Sequence, residues 1–322
     1  MRIAITGSIA FDYIMTYPGT FKEMLLAESL DHISVSFLVD DMSRHRGGIA
    51  PNIAYTLALL GERPVLVGTA GSDFGEYRAA LNAIGVDTTG TRAHEDLYTA
   101  SFFVSTDSQQ AQIAMFYTGA MARARTLSLA EAIPGKPDLA VISPNDPVAM
   151  RNLIVECKER GIPYVYDPSQ QVARVEGAEL AEGVDGAHIL ILNEYEHAAL
   201  TRKTGYSHDQ LLELTGTVIV TRGRDGTDIY TDGGVCHIPA VPPREIKDPT
   251  GVGDGFRGGL LKGLAAGWPW EIAGRVGALA ATYVLEQTGT QNHYYKRRQF
   301  VERFREHFDD GGLLDEMLQT AE

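Results

Sequence analysis

Short, nearly continuous apolar runs alternate with amphipathic stretches over most of the chain, and this alternation restricts the folds open to it more than any other feature. The runs Ile3–Thr6, Val65–Val67, Leu139–Ser143, Tyr164–Tyr166, Ile189–Leu192 and Val218–Thr221 read as parallel strands buried on both faces. Helical patterns lie between them at Asn52–Leu60, Phe74–Ile84, Pro147–Arg160, Tyr195–Thr204 and His208–Thr215. Strand and helix in turn predict an α/β fold of three layers, a mostly parallel central sheet flanked by helices. Several runs end on polar or small residues: Asn145, Asp167, Asn193 and Thr221. In open sheets of this kind the ligand lies outside the carboxyl ends of the strands. The polar groups are therefore collected where a site belongs.

Two segments, 13–45 and 97–117, have period-2 character instead. In the second, Ala100–Thr106 and Ala111–Tyr117 flank Asp107-Ser-Gln-Gln110 and read as a hairpin. In the first, Ile33-Ser-Val-Ser-Phe37 alternates cleanly and reads as a strand. Together they predict a small antiparallel β lid, leaving 1–12, 46–96 and 118–322 as the main domain. Gly226–Tyr230 and Val235–Ile238 meet across Gly233-Gly234 as an edge hairpin, and helices are expected at Ile272–Leu285 and Arg298–Phe308.

The chain has 322 residues and a formal net charge of −14. A nucleic-acid binder would carry a basic face, and Lys296-Arg297-Arg298 is too short to make one, so no nucleic-acid partner is expected. Cys157 and Cys236 are far apart and give neither a zinc spacing nor a disulfide framework. No apolar run approaches the roughly 20 residues of a membrane span, and the chain opens on a strand rather than a signal peptide. A cytoplasmic enzyme without a membrane partner is the expectation. Asp73-Phe-Gly75 matches a protein-kinase metal motif, but His-Arg-Asp is missing. Neither a Gly-x₄-Gly-Lys-[Ser/Thr] loop nor a Gly-x-Gly-x-x-Gly after the first strand occurs.

Residues 248–261, Asp-Pro-Thr-Gly-Val-Gly-Asp-Gly-Phe-Arg-Gly-Gly-Leu-Leu, carry the chemistry. Gly251, Val252 and Gly253 precede a helical pattern, and the first N–H groups of a helix make an anion cradle. Asp254 would repel an anion there. Its place makes sense if it accepts a proton from the nucleophile that attacks the anion, which is phosphoryl transfer to a hydroxyl. A free carboxyl with a pKa of about 4 cannot deprotonate an alcohol in advance. It orients the hydroxyl and takes the proton late. The bland alternative is a first-turn aspartate favoured by the helix dipole.

Four further groups point the same way, each with a structural alternative. In Gly47-Gly48-Ile-Ala-Pro-Asn52 the glycines admit a ligand to the backbone, and Asn52 either binds a polyol or caps its helix. Asp12, just after the first strand, can accept two hydrogen bonds from a vicinal diol or be a loop acid. Asn193-Glu-Tyr-Glu196 suits Mg²⁺ through its waters, or caps a helix. Thr221-Arg-Gly223-Arg-Asp-Gly226 wraps a nucleotide phosphate or is a plain turn.

In this order along nearly the whole chain, these residues resemble the two signatures of the PfkB-type, ribokinase-like carbohydrate kinases: Gly47-Gly48-x-x-x-Asn52 followed by Gly61, and Asp248-Pro-Thr-Gly-Val-Gly-Asp254-Gly-Phe. The family's Gly-Ala-Gly-Asp-Ala is Gly-Val-Gly-Asp-Gly here, which leaves the cradle intact. The resemblance implies an ATP-dependent kinase for a hydroxymethyl group, with Asp254 as base and Gly251 to Gly253 as the anion hole. It implies that Asp12, Gly47, Gly48 and Asn52 hold the sugar, and that Asn193 and Glu196 organise Mg²⁺. Thr221, Gly223 and Gly226 would line the ATP site, Gly289 to Asn292 would lie near the adenine, and Asp248 and Thr250 would border a monovalent cation such as K⁺. Ser36–Asp40, Phe116–Met121 and Thr288–Asn292 are most similar to nucleoside and adenosine kinases, which implies adenosine as the acceptor, with a ribose or fructose kinase as the alternative. A non-catalytic sugar- or nucleotide-binding regulator of the same fold is a third reading. Lid rings such as Phe37, Phe103 and Phe116 would either stack on a base or form the lid's own core. An exposed lid edge would let two copies pair as a homodimer.

Overall fold

The computed structural model describes residues 1–25 and 34–319. Its strands are β1 (Ile3–Thr6), β2 (Ala10–Thr16), β3 (Asp41–Gly47), β4 (Val65–Gly71), β5 (Thr91–His94), β6 (Ala100–Thr106), β7 (Gln112–Tyr117), β8 (Leu139–Ile142), β9 (Tyr164–Tyr166), β10 (Ile189–Asn193), β11 (Thr217–Thr221), β12 (Thr227–Thr231) and β13 (Gly234–Ile238). Its helices are α1 (Phe21–Met24), α2 (Ile49–Leu59), α3 (Gly75–Ala83), α4 (Leu129–Ala132), α5 (Pro147–Arg160), α6 (Gly177–Val184), α7 (Glu194–Thr204), α8 (His208–Thr215), α9 (Val252–Ala266), α10 (Trp270–Leu285), α11 (Arg297–His307) and α12 (Glu316–Gln319).

Nine strands form the main sheet in the order β13-β12-β11-β10-β9-β8-β1-β4-β5. The strands from β11 to β5 run parallel, and the hairpin β12–β13 adds an antiparallel edge. Alternate residues of the same strands enter two separate cores. Ile3, Ile5, Val141, Ile191 and Ile219 face α2, α9, α10 and α11. Ala4, Ile142, Tyr164, Leu192 and Val220 face α5, α6, α7 and α8. The uninterrupted apolar character of these strands has this cause: both faces are covered.

Helix α9 packs against α10 through its glycines. A Cβ on Gly259 would lie 2.6 Å from the Val276 carbonyl oxygen, and one on Gly263 would lie 2.3 Å from the Ala273 Cβ. The glycine-rich run therefore brings two helix backbones together as well as opening the helix over the site.

The small sheet has the order β3-β2-β6-β7. Its outer pairings, β2–β3 and β6–β7, are antiparallel, and β2 runs parallel to β6 at its centre. The expected hairpin spans β6 and β7. The strand expected at Ile33–Phe37 does not form where it is described: residues 34–37 lie outside any strand, and Ile33 is outside the described residues. The sheet is completed instead by the polar β3, Asp-Met-Ser-Arg-His-Arg-Gly, whose register with β2 pairs Asp12 with His45 and Ala10 with Gly47. Backbone pairing to an already anchored strand outweighed side-chain alternation here. The chain passes directly from β1 in the main sheet to β2 in the small one, and Asp12 lies in β2 soon after that junction.

Candidate active site

A cavity of about 940 Å³ opens at the carboxyl ends of the parallel strands, beneath the small sheet. Asp254 sits in the first turn of α9, whose N-cap Gly251 is left-handed at φ 77°. The Val252 N–H reaches the Pro249 carbonyl oxygen at a long 3.4 Å; first-turn N–H groups otherwise lack an acceptor one turn back, and Gly251, Val252, Gly253 and Asp254 all line the cavity.

Asn52 ties the two glycine-bearing segments together. It closes the first turn of α2, its N–H donating to the carbonyl oxygen of the N-cap Gly48, and so is not the cap itself. Its Nδ2 donates to Asp254 Oδ2 at 2.8 Å. Its Oδ1 accepts from Thr290 Oγ1 at 2.9 Å and Gln291 Nε2 at 2.8 Å. Gly48 has φ 93°, and a Cβ there would meet the Ser8 carbonyl oxygen at 2.5 Å. Gly47 leaves room for Asp12, whose Oδ2 lies 2.3 Å from where a Cβ would stand.

Burial dominates the electrostatics. It pushes the Asp254 carboxyl up to about 7, against the pull of Arg257 and the Asn52 hydrogen bond, with Asp167 and Asp12 adding to the rise. Burial likewise raises Asp12 to about 6, opposed by His45 and reinforced by Asp248. A carboxyl near 7 is poised to take a proton at neutral pH, which an ordinary aspartic acid is not. Asp248 moves the other way: burial opposes its charge, but N–H donors from Gly289 and Thr250 hold it below the usual range.

Asn193 and Glu196 form a reciprocal capping box at the head of α7. Asn193 Oδ1 accepts from the Glu196 N–H, and Glu196 Oε2 accepts from the Asn193 N–H, both at 2.8 Å. Capping uses one oxygen of Glu196, and both residues still line the cavity. Thr221, Gly223 and Gly226 line it as well. Gly226 has a packing reason of its own, since a Cβ there would lie 2.2 Å from the Ile238 carbonyl oxygen. Among the described residues no group of three or more His, Cys, Asp or Glu side chains could hold a metal, so a cation here would lean on water, backbone or phosphate oxygens.

Three placements differ from the expectations. Phe103 stacks on Tyr13, with ring centroids 4.7 Å apart, and Phe37 packs edge-on against Tyr17 and Phe21, so both rings serve the lid's own core. Phe116 does line the cavity, and the second ring beside it is Phe102, the neighbour of the one expected. In Gly289–Asn292, Gly289 donates to Asp248, Thr290 and Gln291 to Asn52, and Asn292 to the Thr288 carbonyl oxygen, while Thr290 lines the cavity. Val241, Pro242, Pro243, Ile246 and Leu285 give the cavity apolar walls. Sequence reasoning missed these walls; the paired prolines before Asp248 were the available signal.

Residues 6–297 match the family model described as pfkB family carbohydrate kinase. The chain is 32% identical over 303 residues to a nucleoside kinase of Methanothermobacter thermautotrophicus, covering 92% of this chain and 94% of the relative. It is similar to the Burkholderia thailandensis nucleoside kinase solved with inosine, at 35% identity and a TM-score of 0.83, covering 95% of this chain and 98% of that one. It is also similar to the Methanocaldococcus jannaschii nucleoside kinase, an archaeal member of the ribokinase family, at 25% identity and a TM-score of 0.84, covering 95% and 99% of the two chains.

Proposed function

Because the chain belongs to the pfkB family of carbohydrate kinases, ATP-dependent enzymes, we propose that it transfers the γ-phosphoryl group of ATP to the 5′-hydroxyl of a nucleoside, adenosine foremost. The observation that supports this reading is one cavity lined by Asp254, in the first turn of α9, together with two chemically unlike sets of residues. One set is Asp12, Asn52 and the half-exposed rings Phe102 and Phe116, which suits a ribose diol and a stacked base. The other offers Thr221, Gly223 and the apolar walls, which suits a nucleoside triphosphate. The family relatives named above as nucleoside kinases support the same acceptor class.

In this reading Asp12 and Asn52 hold the sugar so that its hydroxymethyl oxygen faces Asp254. That oxygen bonds to the γ-phosphorus as the bond from phosphorus to the ADP bridging oxygen breaks. The hydroxyl proton passes to the Asp254 carboxylate, and the N–H groups at Gly251 to Gly253 receive the charge on the transferred oxygens. Mg²⁺, held through water by Asn193 and Glu196, would supply neutralisation of the phosphate charge when bound. Asp248 and Thr250 border the loop where K⁺ would stiffen the backbone under the cradle. Closing the small sheet over the nucleoside excludes water that would otherwise accept the phosphoryl group. Its outer strands β3 and β7 are the edges through which a homodimer would pair.

The test is ATP consumption with adenosine, inosine, guanosine, cytidine, ribose and fructose as acceptors. Adenosine is expected to give the highest kcat/KM, with other nucleosides accepted, because ring stacking tolerates different bases. A preference for free sugars over every nucleoside would overturn the acceptor class.

A further inference from the structure

Beneath the anion cradle lies an ion pair for which the reaction as described has no use. Arg257, one turn after Asp254 on α9, donates from Nη2 to Asp167 Oδ1 at 2.6 Å. Asp167, at the end of β9, is fully buried, and the Arg257 side chain is only 10% exposed. The contact is single rather than forked: Asp167 Oδ2 and Arg257 Nε find no protein partner. The other arm of the guanidinium runs under the cradle, since a Cβ on Gly253 would lie 2.7 Å from Arg257 Nη1.

A buried pair of this kind is a poor stabiliser. Desolvating two charges costs about as much as their attraction returns, and well-packed apolar residues often do better. A one-armed contact, with two polar atoms left unpaired, does worse than a forked one. Its position supplies a better reason. Asp254 shares its surroundings with other acids: Asp12 from β2 and Asp167 from the end of β9, with Glu196 of α7 acting on Arg257 and Asp167. His45 and Asp248 act on Asp12, and Asn52 from α2 is neutral. Arg257 is the cation among the groups acting on Asp254.

We propose, on the basis of the phosphoryl-transfer reading above, that Arg257 and Asp167 form a positioning pair beneath the cradle. The guanidinium beside the cradle opposes the effect of burial and favours the ionised form of Asp254, the form able to accept the proton. Asp167 fixes the guanidinium under Gly253 and limits how strongly it acts. The two members have opposite effects on Asp254: the cation favours the carboxylate and the anion opposes it.

The experiment compares wild type with R257M, R257K, D167N and the double variant R257M/D167N. Two measurements are made: kcat/KM for nucleoside and ATP against pH, and the titration of the Asp254 carboxyl by NMR of carboxyl-labelled, substrate-free protein, assigned with D254N. In R257M the acid limb is expected to move up by about one pH unit or more, so that activity near pH 6 falls about tenfold relative to wild type; in the double variant, which removes both opposing charges, it is expected to move up by less. In D167N it is expected to move down. R257K, which keeps the charge, should restore most of the wild-type limb. Should R257M not fold, the charge-balanced double variant and D167N carry the opposite shifts between them. Coincident limbs and coincident carboxyl titrations across the set would overturn the proposal. So would a rise confined to KM for ATP with an unmoved limb, which would make Arg257 a phosphate ligand. Failure of the wild type to phosphorylate any nucleoside would instead refute the parent reading, and the carboxyl titration would still decide this one.

Discussion

Asp254 carries two expectations at the scale of a single residue. Replacing it with Asn keeps the bond geometry to Asn52 but removes the proton acceptor, so kcat should fall by about 10²–10⁴-fold while nucleoside binding stays measurable by calorimetry. A variant that kept most of its kcat would remove Asp254 from the mechanism. Because burial raises this carboxyl to about 7, the acid limb of kcat/KM should also fall near neutrality rather than near the ordinary carboxylate value of about 4. Activity is then lost below that limb, as the base becomes protonated. Asp254 and Asn52 could be read from sequence because each sits in a contiguous glycine-bearing motif. Their mutual contact could not, since it joins positions 202 residues apart. The same holds for Arg257 and Asp167, 90 residues apart: Asp167 is legible only as one polar strand end among several, and Arg257 only as part of the glycine-rich segment. The exchange of Phe103 for Phe102 has a simpler cause. Alternation along a strand identifies two faces, and only the pairing of β2 with β6 decides which face meets the cavity.

At the scale of elements, the α9–α10 contact makes a firm prediction. Gly259→Ala would place a methyl group 2.6 Å from a backbone carbonyl of α10, which cannot turn aside as a side chain can. The helices must separate, at a cost of about 1–3 kcal/mol read by urea denaturation. As α9 also carries Asp254, kcat should fall with stability. The lid has a corresponding anchor in Asp107, whose carboxylate accepts from the N–H groups of Phe21, Gln109 and Ala111. It joins the β6–β7 turn to α1, and Asp107→Ala should raise KM for the nucleoside more than it lowers kcat, because ordering the lid would fall to the substrate. A lowered kcat at unchanged KM would contradict this. Of these elements, the buried parallel strands were plain in the sequence because two-sided burial demands unbroken apolar runs. β3 was hidden because it is polar, and backbone pairing alone makes it a strand.

Over the whole molecule, the site's acids leave a mark on stability. Asp254 near 7, and Asp12 and Asp167 near 6, all stand above their value of about 3.9 in an unfolded chain. A carboxyl protonated more easily in the folded state contributes stability that is complete below about pH 4 and lost as pH rises through 6 to 7. Asp248, Glu286 and Asp310 are lowered, so their contribution is lost only on further acidification. The Tm of the substrate-free protein should therefore rise by a few degrees between about pH 8 and pH 5 and fall again below about pH 4, and Asp254→Asn should flatten the first change. A Tm that falls steadily from pH 8 would contradict the raised values.

Asn52 joins the first sixth of the chain to Asp254, Thr290 and Gln291 near its end. During synthesis, then, Asn52 and the first strands leave the ribosome long before Asp254, Thr290 and Gln291. On the proposed mechanism, a nascent chain can build most of the sheet and still lack its base, so a prematurely terminated product is expected to be an inert scaffold rather than a leaky ATPase.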